Sequence, residues 1–505
     1  MKNTNIIPNW ATYGILFIAA FLFVFLFSST TSPLYEHHPF WFNGDSGIFQ
    51  EMGICLLQGG TPFIDLFDHK GPILWFIQAC GKGLNHNWGL MVIQSIALFF
   101  TLVIWYKSTH ILVEKQVVSI IITLTGLLFL LAFYVRGNLC EEWSLPFISL
   151  PIYLYLKRWK QNTNAIFPLY NHTDAVIIGI CVGIIAMIRL NNTAPIVGFV
   201  LWHFFLCVHQ KKYKHLWIDI ALIISGIVII FIICSSFYLF KAGWDGVYEM
   251  FYGTFIFKYI YYLSLYNIHN PTLINILLFY LAPIVFGIIN IICLLHKKET
   301  IHLGIPVIIS YFITIFAVGY SIFYHYLMVF IPLLVLTTSY IFFTKTKFTY
   351  ILGMAMVLYF FHTGYDAIDH LAFRMMGKKA NTEINDGFHR FVSSLPLNER
   401  GSIYNEGMSH NIGPGLFANE NICQCNRILY KRHLDYSSNL RKYEATHGIK
   451  DLKPIWVLTQ SPRPEASDDY LAQNYTLADS IPGGEFDPIW CWKKNYEYEL
   501  TQSNK

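Results

Sequence analysis

The sequence predicts a mostly α, multi-span transmembrane helical bundle, followed by a small α/β C-terminal extracytoplasmic domain. Three observations lead there. Only 13% of the residues are charged against 54% hydrophobic, whereas soluble domains carry roughly 25% charged residues. Mean hydropathy is +0.44. Apolar runs recur at close to the ~20 residues that cross a bilayer.

The runs lie at 9–29, 88–106, 116–135, 143–156, 174–189, 193–209, 217–239, 272–295, 302–319, 326–343 and 348–364, about eleven spans by length. The run at 143–156 is short and contains Pro146 and Pro151, which disfavour a helix interior. The first run, Gly14 to Phe27, follows a weakly basic start and lacks a small-residue cleavage site, so it reads as a signal anchor. Gly71 to Leu84 is apolar but too short to span. It reads as a helix lying in the outer interface.

Basic residues orient the spans, because cytoplasmic loops carry the excess of Lys and Arg. With the N-terminus inside, Lys2, Lys107, Lys115, Lys157, Arg158, Lys160, Lys211, Lys212, Lys214, Lys297, Lys298, Lys345 and Lys347 fall in the cytoplasm. Lys70, Lys82, Arg136, Arg189, Lys241 and Lys258 fall outside. Counting 71–84 as a span would invert every later loop. The expectation is a multi-pass protein of the plasma (inner) membrane, N-terminus cytoplasmic and C-terminal domain extracytoplasmic. The net charge of +4 reflects this bias. With no nucleic-acid motif or basic stripe, a nucleic-acid partner is not expected.

The domain division expected is 1–364 for the membrane part, with a first outer loop at 30–87, and 365–505 for a soluble α/β domain. In the tail, 380–394 has helical periodicity before Pro396, and Ser402–Asn405, Ile455–Thr459 and Tyr475–Ile481 read as short strands. Cys181, Cys207, Cys234 and Cys293 sit in spans and read as packing residues. Cys423 and Cys425 are too close for an easy bridge to each other. Cys491 is available to either in an oxidising compartment. No spacing resembles a zinc site.

Candidate chemistry gathers in the loops assigned to the outer face. The first loop carries Asp45, Glu51, Asp65, Asp68, His69 and Lys70, the second Arg136, Glu141 and Glu142. Arg189 ends a span, a loop at 240–271 brings Lys241, Asp245, Lys258 and many tyrosines, and Tyr324-His325-Tyr326 opens a late span. Asp45 precedes Phe49, Met52 and Leu56 at helical spacing, on a helix expected to lie on the membrane. It either caps that helix or accepts a proton from a hydroxyl or holds a cation. Lys70 before Gly71-Pro72 either snorkels to the interface or meets a phosphate at a helix start. Asp65, Asp68 and His69 either structure the turn before it or join the site. Arg189 has the same two readings as Lys70, its planar fork suiting phosphate. His325 and Tyr326 fit an aromatic belt as well as a site, and the tyrosines of 248–266 fit a belt better. Of Glu141 and Glu142, one should face the protein interior.

Through Asp45-Ser46-Gly47-Ile48-Phe49-Gln50-Glu51-Met52, Phe67-Asp68-His69-Lys70-Gly71-Pro72, Gly137-Asn138-Leu139-Cys140-Glu141-Glu142 and Tyr324-His325-Tyr326, the chain resembles the GT-C class of polytopic membrane glycosyltransferases. The resemblance is to the bacterial relatives of protein O-mannosyltransferases and lipid A aminoarabinose transferases, and it covers most of the chain. The order of the motifs and their common side carry it. Gly71 departs from a proline common among relatives, and the second-loop acid is Glu where Asp is frequent, which leaves the choice between Glu141 and Glu142 open.

The resemblance implies a GT-C-like fold and inverting transfer of a sugar from a polyprenyl-phosphate donor to a lipid, glycan or protein acceptor at the outer face. It implies Asp45 as base, Glu141 as its assistant, and Lys70, Arg189, His325 and Arg136 as candidates to hold the donor phosphate. Asp65, His69, Glu142 and Tyr326 are further candidates. Some relatives use a divalent cation and others do not; no other cofactor is implied. A transporter or flippase of lipid-linked saccharides is the main competing class, but it predicts charges at mid-membrane depth and paired repeats. An O-antigen-ligase-like transferase predicts a large outer loop late in the chain, and a non-catalytic membrane subunit is a third alternative.

Overall fold

Uncharged apolar runs can satisfy their backbone in lipid only as helices, and helices are what the chain forms. The computed structural model describes residues 7–35, 44–161, 170–262, 273–297, 300–319, 323–344, 347–375, 383–406, 408, 412–427, 429, 448–460, 469–483 and 487–495. Its first nine helices are α1 (Asn9–Phe27), α2 (Gly44–Leu57), α3 (Pro72–Leu84), α4 (Gly89–Val113), α5 (Gln116–Phe133), α6 (Cys140–Gln161), α7 (His172–Arg189), α8 (Ala194–His209) and α9 (Tyr213–Phe251). Each expected span overlaps helix among the described residues. Among the described residues, seven helices, or eight if the bent pair Leu273–Phe279 and Leu281–His296 counts as one, are long and apolar enough to cross a membrane. The protein is a multi-pass membrane protein.

Two compact units divide the chain, one of residues 1–28, 91–235 and 268–373 and the other of 29–90, 236–267 and 374–505. Among the described residues the first unit contains helices and no strand, with an apolar core that includes Leu102, Trp105, Phe129, Ile148, Tyr155 and Phe286. Pro146 and Pro151 do not break α6. Ser144 and Ser149 hydroxyls bond back to the Cys140 and Leu145 carbonyls at 2.7 and 2.6 Å, and Trp105 Nε1 donates to Ser149 Oγ at 2.8 Å. Asn171 and Asp174 start α7 with a reciprocal capping box. Arg158 grips Asp174 through Nε at 2.6 Å and Nη2 at 3.1 Å.

The second unit holds a four-stranded sheet in the order β1 (Ile403–Glu406), β2 (Trp456–Thr459), β4 (Ile489–Lys494), β3 (Tyr475–Ile481), parallel only between β1 and β2. Strand β4 is an addition to the three expected strands; its Ile-Trp-Cys-Trp start alternates over too few residues to stand out. The helix expected over 380–394 spans Glu383–Ser394, and 380–382 lie outside the described residues. It packs Phe388 and Phe391 into one sheet face with Trp456, Leu458 and Cys491.

Three expectations are corrected here. First, the stretch 240–271 is not a loop as far as residue 262. Helix α9 breaks at Ala242 and Gly243, the latter at φ +65°, and resumes to 251 before a π-helix at Tyr252–Tyr262; 263–272 lie outside the described residues. Second, α2 is not a one-faced surface helix: Ser46 to Cys55 are all buried, because Gly413–Asn419 of the tail packs along it. Third, Cys491 pairs with neither Cys423 nor Cys425, and all ten cysteines are free. Cys491 faces Leu458 inside the sheet, whereas Cys423 neighbours Cys55.

Candidate functional site

The second unit builds one cluster from the first loop. Pro72 at N1 starts α3, its fixed φ suiting a first helical turn. Lys70 therefore stands just before a helix N-terminus. Helices α2 and α3 approach closely enough that a Cβ on Gly53 would lie 2.6 Å from Gln78 Cβ. This proximity brings Lys70 Nζ to 5.4 Å from the Phe49 ring, one helical turn beyond Asp45. Asp45 itself is half-buried in the first turn of α2.

Lys70 is held by its neighbours. His69 Nδ1 lies 3.2 Å from Asp68 Oδ1, and Lys70 Nζ lies 3.2 Å from His69 Nε2. An ammonium can only donate, so His69 accepts at Nε2 and donates from Nδ1 to the carboxylate. Asp68 Oδ2 also accepts the Lys70 backbone N–H at 3.3 Å. All three residues are buried. Asp65, by contrast, is exposed and accepts the Thr61 N–H at 2.6 Å, closing the turn that places Phe67.

That turn is tied to the tail. Arg427 Nη2 donates to the Phe63 carbonyl and to Glu249 at 2.5 Å each, and the Phe67 N–H donates to the Arg427 carbonyl at 2.8 Å. Gln58 and His86 reach the carbonyls of Asn421 and Asn419 at 2.8 Å each. Glu51 accepts the Gln424 N–H at 3.1 Å while its second oxygen, buried, has no hydrogen-bond partner among the described residues. Burial pushes the Glu51 carboxyl well above its usual value of 4.5, the Gln424 bond opposes this, and Cys55 adds to it. A folded state that holds this proton more tightly than the unfolded chain gains stability at low pH. That gain is lost as pH rises from about 4.5 through the raised value. Glu51→Gln removes the dependence. Its Tm in detergent should exceed wild type at pH 8 and converge with it near pH 5; parallel curves would count against a buried neutral Glu51.

The first unit builds a second cluster. Arg136, Gly137 and Asn138 take φ of +66°, +82° and +59°, three successive left-handed residues. A Cβ on Gly137 would lie 2.4 Å from Ser28 Oγ and 2.6 Å from Tyr134 Oη, so only glycine fits. The tight turn delivers Glu141 and Glu142 into the first turn of α6 with opposite surroundings. Glu142 accepts Tyr134 Oη at 2.8 Å, the Asn138 N–H at 2.8 Å and Gln94 Nε2 at 3.1 Å. Glu141 pairs with Arg189. Both acids are therefore buried, where the expectation was that one would face inward.

Glu142→Ala would leave these buried donors without their acceptor, costing about 1–3 kcal/mol for each donor left unsatisfied. A clear fall in Tm in detergent is the expected reading, and an unchanged Tm would remove Glu142 from this structural role.

Arg189 is buried and its guanidinium lies 3.8 Å over the Tyr326 ring, a cation–π contact that fixes its plane. Asn192 Nδ2 secures the turn after α7 by donating to Ser144 Oγ at 3.0 Å and to the Cys140 carbonyl at 3.2 Å. His325 is half-buried and packs edge-on against Tyr326 at 4.5 Å.

The structure thus brings together Glu141, Arg189 and Tyr326, with His325 against Tyr326, in one unit. In the other it brings together Asp68, His69 and Lys70, with Phe49 linking toward Asp45. Reading the chain alone missed Gln94 and Asn192, although a polar amide at the head of an apolar helix is a usable signal. It also missed that His69 and Asp68 act on Lys70. Among the described residues, the His, Cys, Asp and Glu atoms that converge closely enough to hold a metal ion lie in neither cluster but on α8 and α9.

No family model matches the chain, and no curated protein does. Solved structures do. ArnT from Cupriavidus metallidurans, bound to undecaprenyl phosphate, aligns with a TM-score of 0.54 at 11% identity, over 95% of this chain and 98% of that one. The Archaeoglobus fulgidus oligosaccharyltransferase in complex with Zn and sulfate aligns with a TM-score of 0.51 at 13% identity, over 88% and 67%. The archaeal oligosaccharyltransferase AglB from Archaeoglobus fulgidus, in complex with an inhibitory peptide and a dolichol-phosphate, gives 0.51 at 12% identity, over 89% and 69%. With this likeness covering 95% of the chain, the chain has the GT-C fold.

Proposed function

We propose that the protein is a membrane glycosyltransferase that moves a sugar from a polyprenyl-phosphate donor to a lipid, glycan or protein acceptor, with inversion, at the outer face of the plasma membrane. The observation that carries this is the near end-to-end likeness to ArnT bound to undecaprenyl phosphate. The N-terminus is placed in the cytoplasm and 365–505 outside, on the distribution of Lys and Arg.

In the reaction proposed, the acceptor oxygen attacks the anomeric carbon as the bond to the donor phosphate breaks. Asp45 takes the acceptor proton. The departing lipid phosphate gains one negative charge, and Lys70 and Arg189 are assigned to meet it. Both cations are held in fixed positions, Lys70 by His69 and Asp68, and Arg189 by Glu141 and Tyr326. Preorganised charge of this kind costs little reorganisation in the transition state. His325 and Arg136 are assigned to the phosphate as further donors, and Glu141 to orienting Arg189 as well as assisting Asp45. Tyr326 supports Arg189, while Asp65 and Glu142 keep structural roles. No step is assigned to a divalent cation.

The test is release of polyprenyl phosphate from labelled polyprenyl-phosphate sugars by the purified full chain in liposomes, with a membrane extract as acceptor source. Release accompanied by labelled glycoconjugate supports transfer. Movement of intact donor between leaflets with no release would instead mark a flippase and end this reading.

A further inference from the structure

At the turn between α8 and α9, four side chains converge away from both clusters. His203 and Cys207 lie one helical turn apart on α8, and His215 and Asp219 one turn apart on α9. One ligand atom from each lies within 4.8 Å of all the others. Residues four apart share a helix face, so the two helices each present a pair, and the turn between them lets the pairs meet. Lys211 takes a left-handed φ of +57° there, and the Lys212 N–H returns to the Cys207 carbonyl at 2.8 Å. Cys207 and Asp219 are fully buried, His203 nearly so, and His215 partly exposed.

We propose that His203, Cys207, His215 and Asp219 form a structural site for one divalent transition metal, of which Zn²⁺ is the best match. The argument is one of charge and ligand type. Two imidazoles, a thiolate and a carboxylate are the donors zinc takes in four-coordinate sites. Thiolate and carboxylate together carry two negative charges, which a divalent ion cancels. A neutral complex can be buried at the end of two spans at far lower cost than the bare Asp219 carboxylate. A thiol adds nothing to an aspartate already contacted by histidines, yet Cys207 Sγ lies 3.8 Å from His203 Nε2.

The surroundings supply a second shell. His172, at the start of α7 and half-exposed, reaches Asp219 Oδ1 at 2.7 Å, while Oδ2 faces His203 at 2.8 Å and His215 at 3.0 Å. A hydrogen bond on the far carboxylate oxygen orients a metal ligand. Without metal, His203 donates from Nε2 to Asp219 and accepts the Tyr170 N–H at Nδ1 at a long 3.3 Å, and His215 Nε2 also lies 3.1 Å from the Tyr170 carbonyl. Metal binding at Nε2 leaves the proton of each ring on Nδ1, which for His203 requires the long Tyr170 N–H contact to open, and it releases the Cys207 proton to solvent. The Nε2 contacts to Asp219 and to the Tyr170 carbonyl give way to metal bonds. His215 and His172 provide the exposed side for entry. The basic residues Lys211, Lys212 and Lys214 place this turn on the cytoplasmic face, whereas the transfer chemistry is assigned to the opposite one. The inference is independent of the proposed activity.

The test uses the full chain in detergent, stripped with EDTA and titrated with Co²⁺ and then Zn²⁺. One equivalent of Co²⁺ should bind per chain, with visible bands of a tetrahedral ion and a near-ultraviolet sulfur-to-cobalt charge-transfer band, both removed by Zn²⁺. Cys207→Ser should abolish the charge-transfer band and weaken binding by at least about tenfold, since loss of even a second-shell partner costs that much. His215→Ala, at a partly exposed position, serves if the serine variant does not fold. Asp45→Asn should keep stoichiometry and spectrum, which separates this site from a cation at the transfer site. A monodisperse wild-type protein without the charge-transfer band, or one whose band survives Cys207→Ser, overturns the proposal and leaves a hydrogen-bonded His–Asp cluster.

Discussion

Asp45→Asn should lower the rate of sugar transfer by about 10²- to 10⁴-fold, the usual contribution of a positioned general base. The substitution discriminates well because Asn keeps the size and polarity of Asp in the first turn of α2, where loss of the charge costs the helix only about 0.3–1 kcal/mol. If Asp45 only starts α2, the variant folds and turns over like the wild type. If Asp45 takes the acceptor proton, the loss falls on kcat while binding of polyprenyl phosphate changes little. Because Asp45 is half-buried in the first turn of a helix whose next residues are fully buried, the backbone should tolerate the change. The check is single-turnover release of lipid phosphate beside a direct lipid-phosphate binding measurement. Wild-type turnover in the variant would leave Asp45 a structural role in the first turn of α2.

Lys70→Met should cost about 10²- to 10³-fold in kcat, in line with removal of one preorganised donor from a developing oxyanion. It should also weaken binding of the lipid-phosphate product, which carries more charge than the intact donor. The Asp68–His69 pair adds a second expectation. His69→Ala leaves the ammonium in place but removes the acceptor at 3.2 Å, so the loss should be smaller and should not add to that of Lys70→Met in the double variant. A snorkelling lysine predicts the reverse pattern, with unchanged kcat and product affinity in both variants. Methionine keeps most of the apolar stem, which limits the change in packing against Phe49.

Both predictions rest on groups the first loop displays openly, and this part of the candidate site was legible. Charged residues in a chain that is 54% hydrophobic are costly near lipid, so Asp45, Lys70, Glu141 and Arg189 stand out without any coordinates. Their partners were not legible. Glu141 meets Arg189 across 48 positions, and Glu142 meets Gln94 across the same interval. Such pairs depend on how each helix is rotated about its axis, which hydropathy does not encode. The tail was read as a domain of its own, yet Gln424 meets Glu51 and Arg427 meets Phe63 and Glu249 within one compact unit.

Cys207 marks the sharpest divide. In sequence it is one apolar cysteine in a span, and its nearest polar neighbour at helical spacing, His203, is an ordinary companion. Only the reversal of α8 into α9 sets His215 and Asp219 opposite them. The sequence by itself determined which apolar segments form the long helices, three of the four strands and which residues carry charge, because hydropathy, β-propensity and turn chemistry act over a few residues at a time. It did not reveal the helical continuation through 244–262. The tertiary structure decided which charges meet, which acid is held in a turn and which in an ion pair, and where four ligands converge. Those contacts are made between segments tens to hundreds of residues apart, and packing alone brings them within bonding distance.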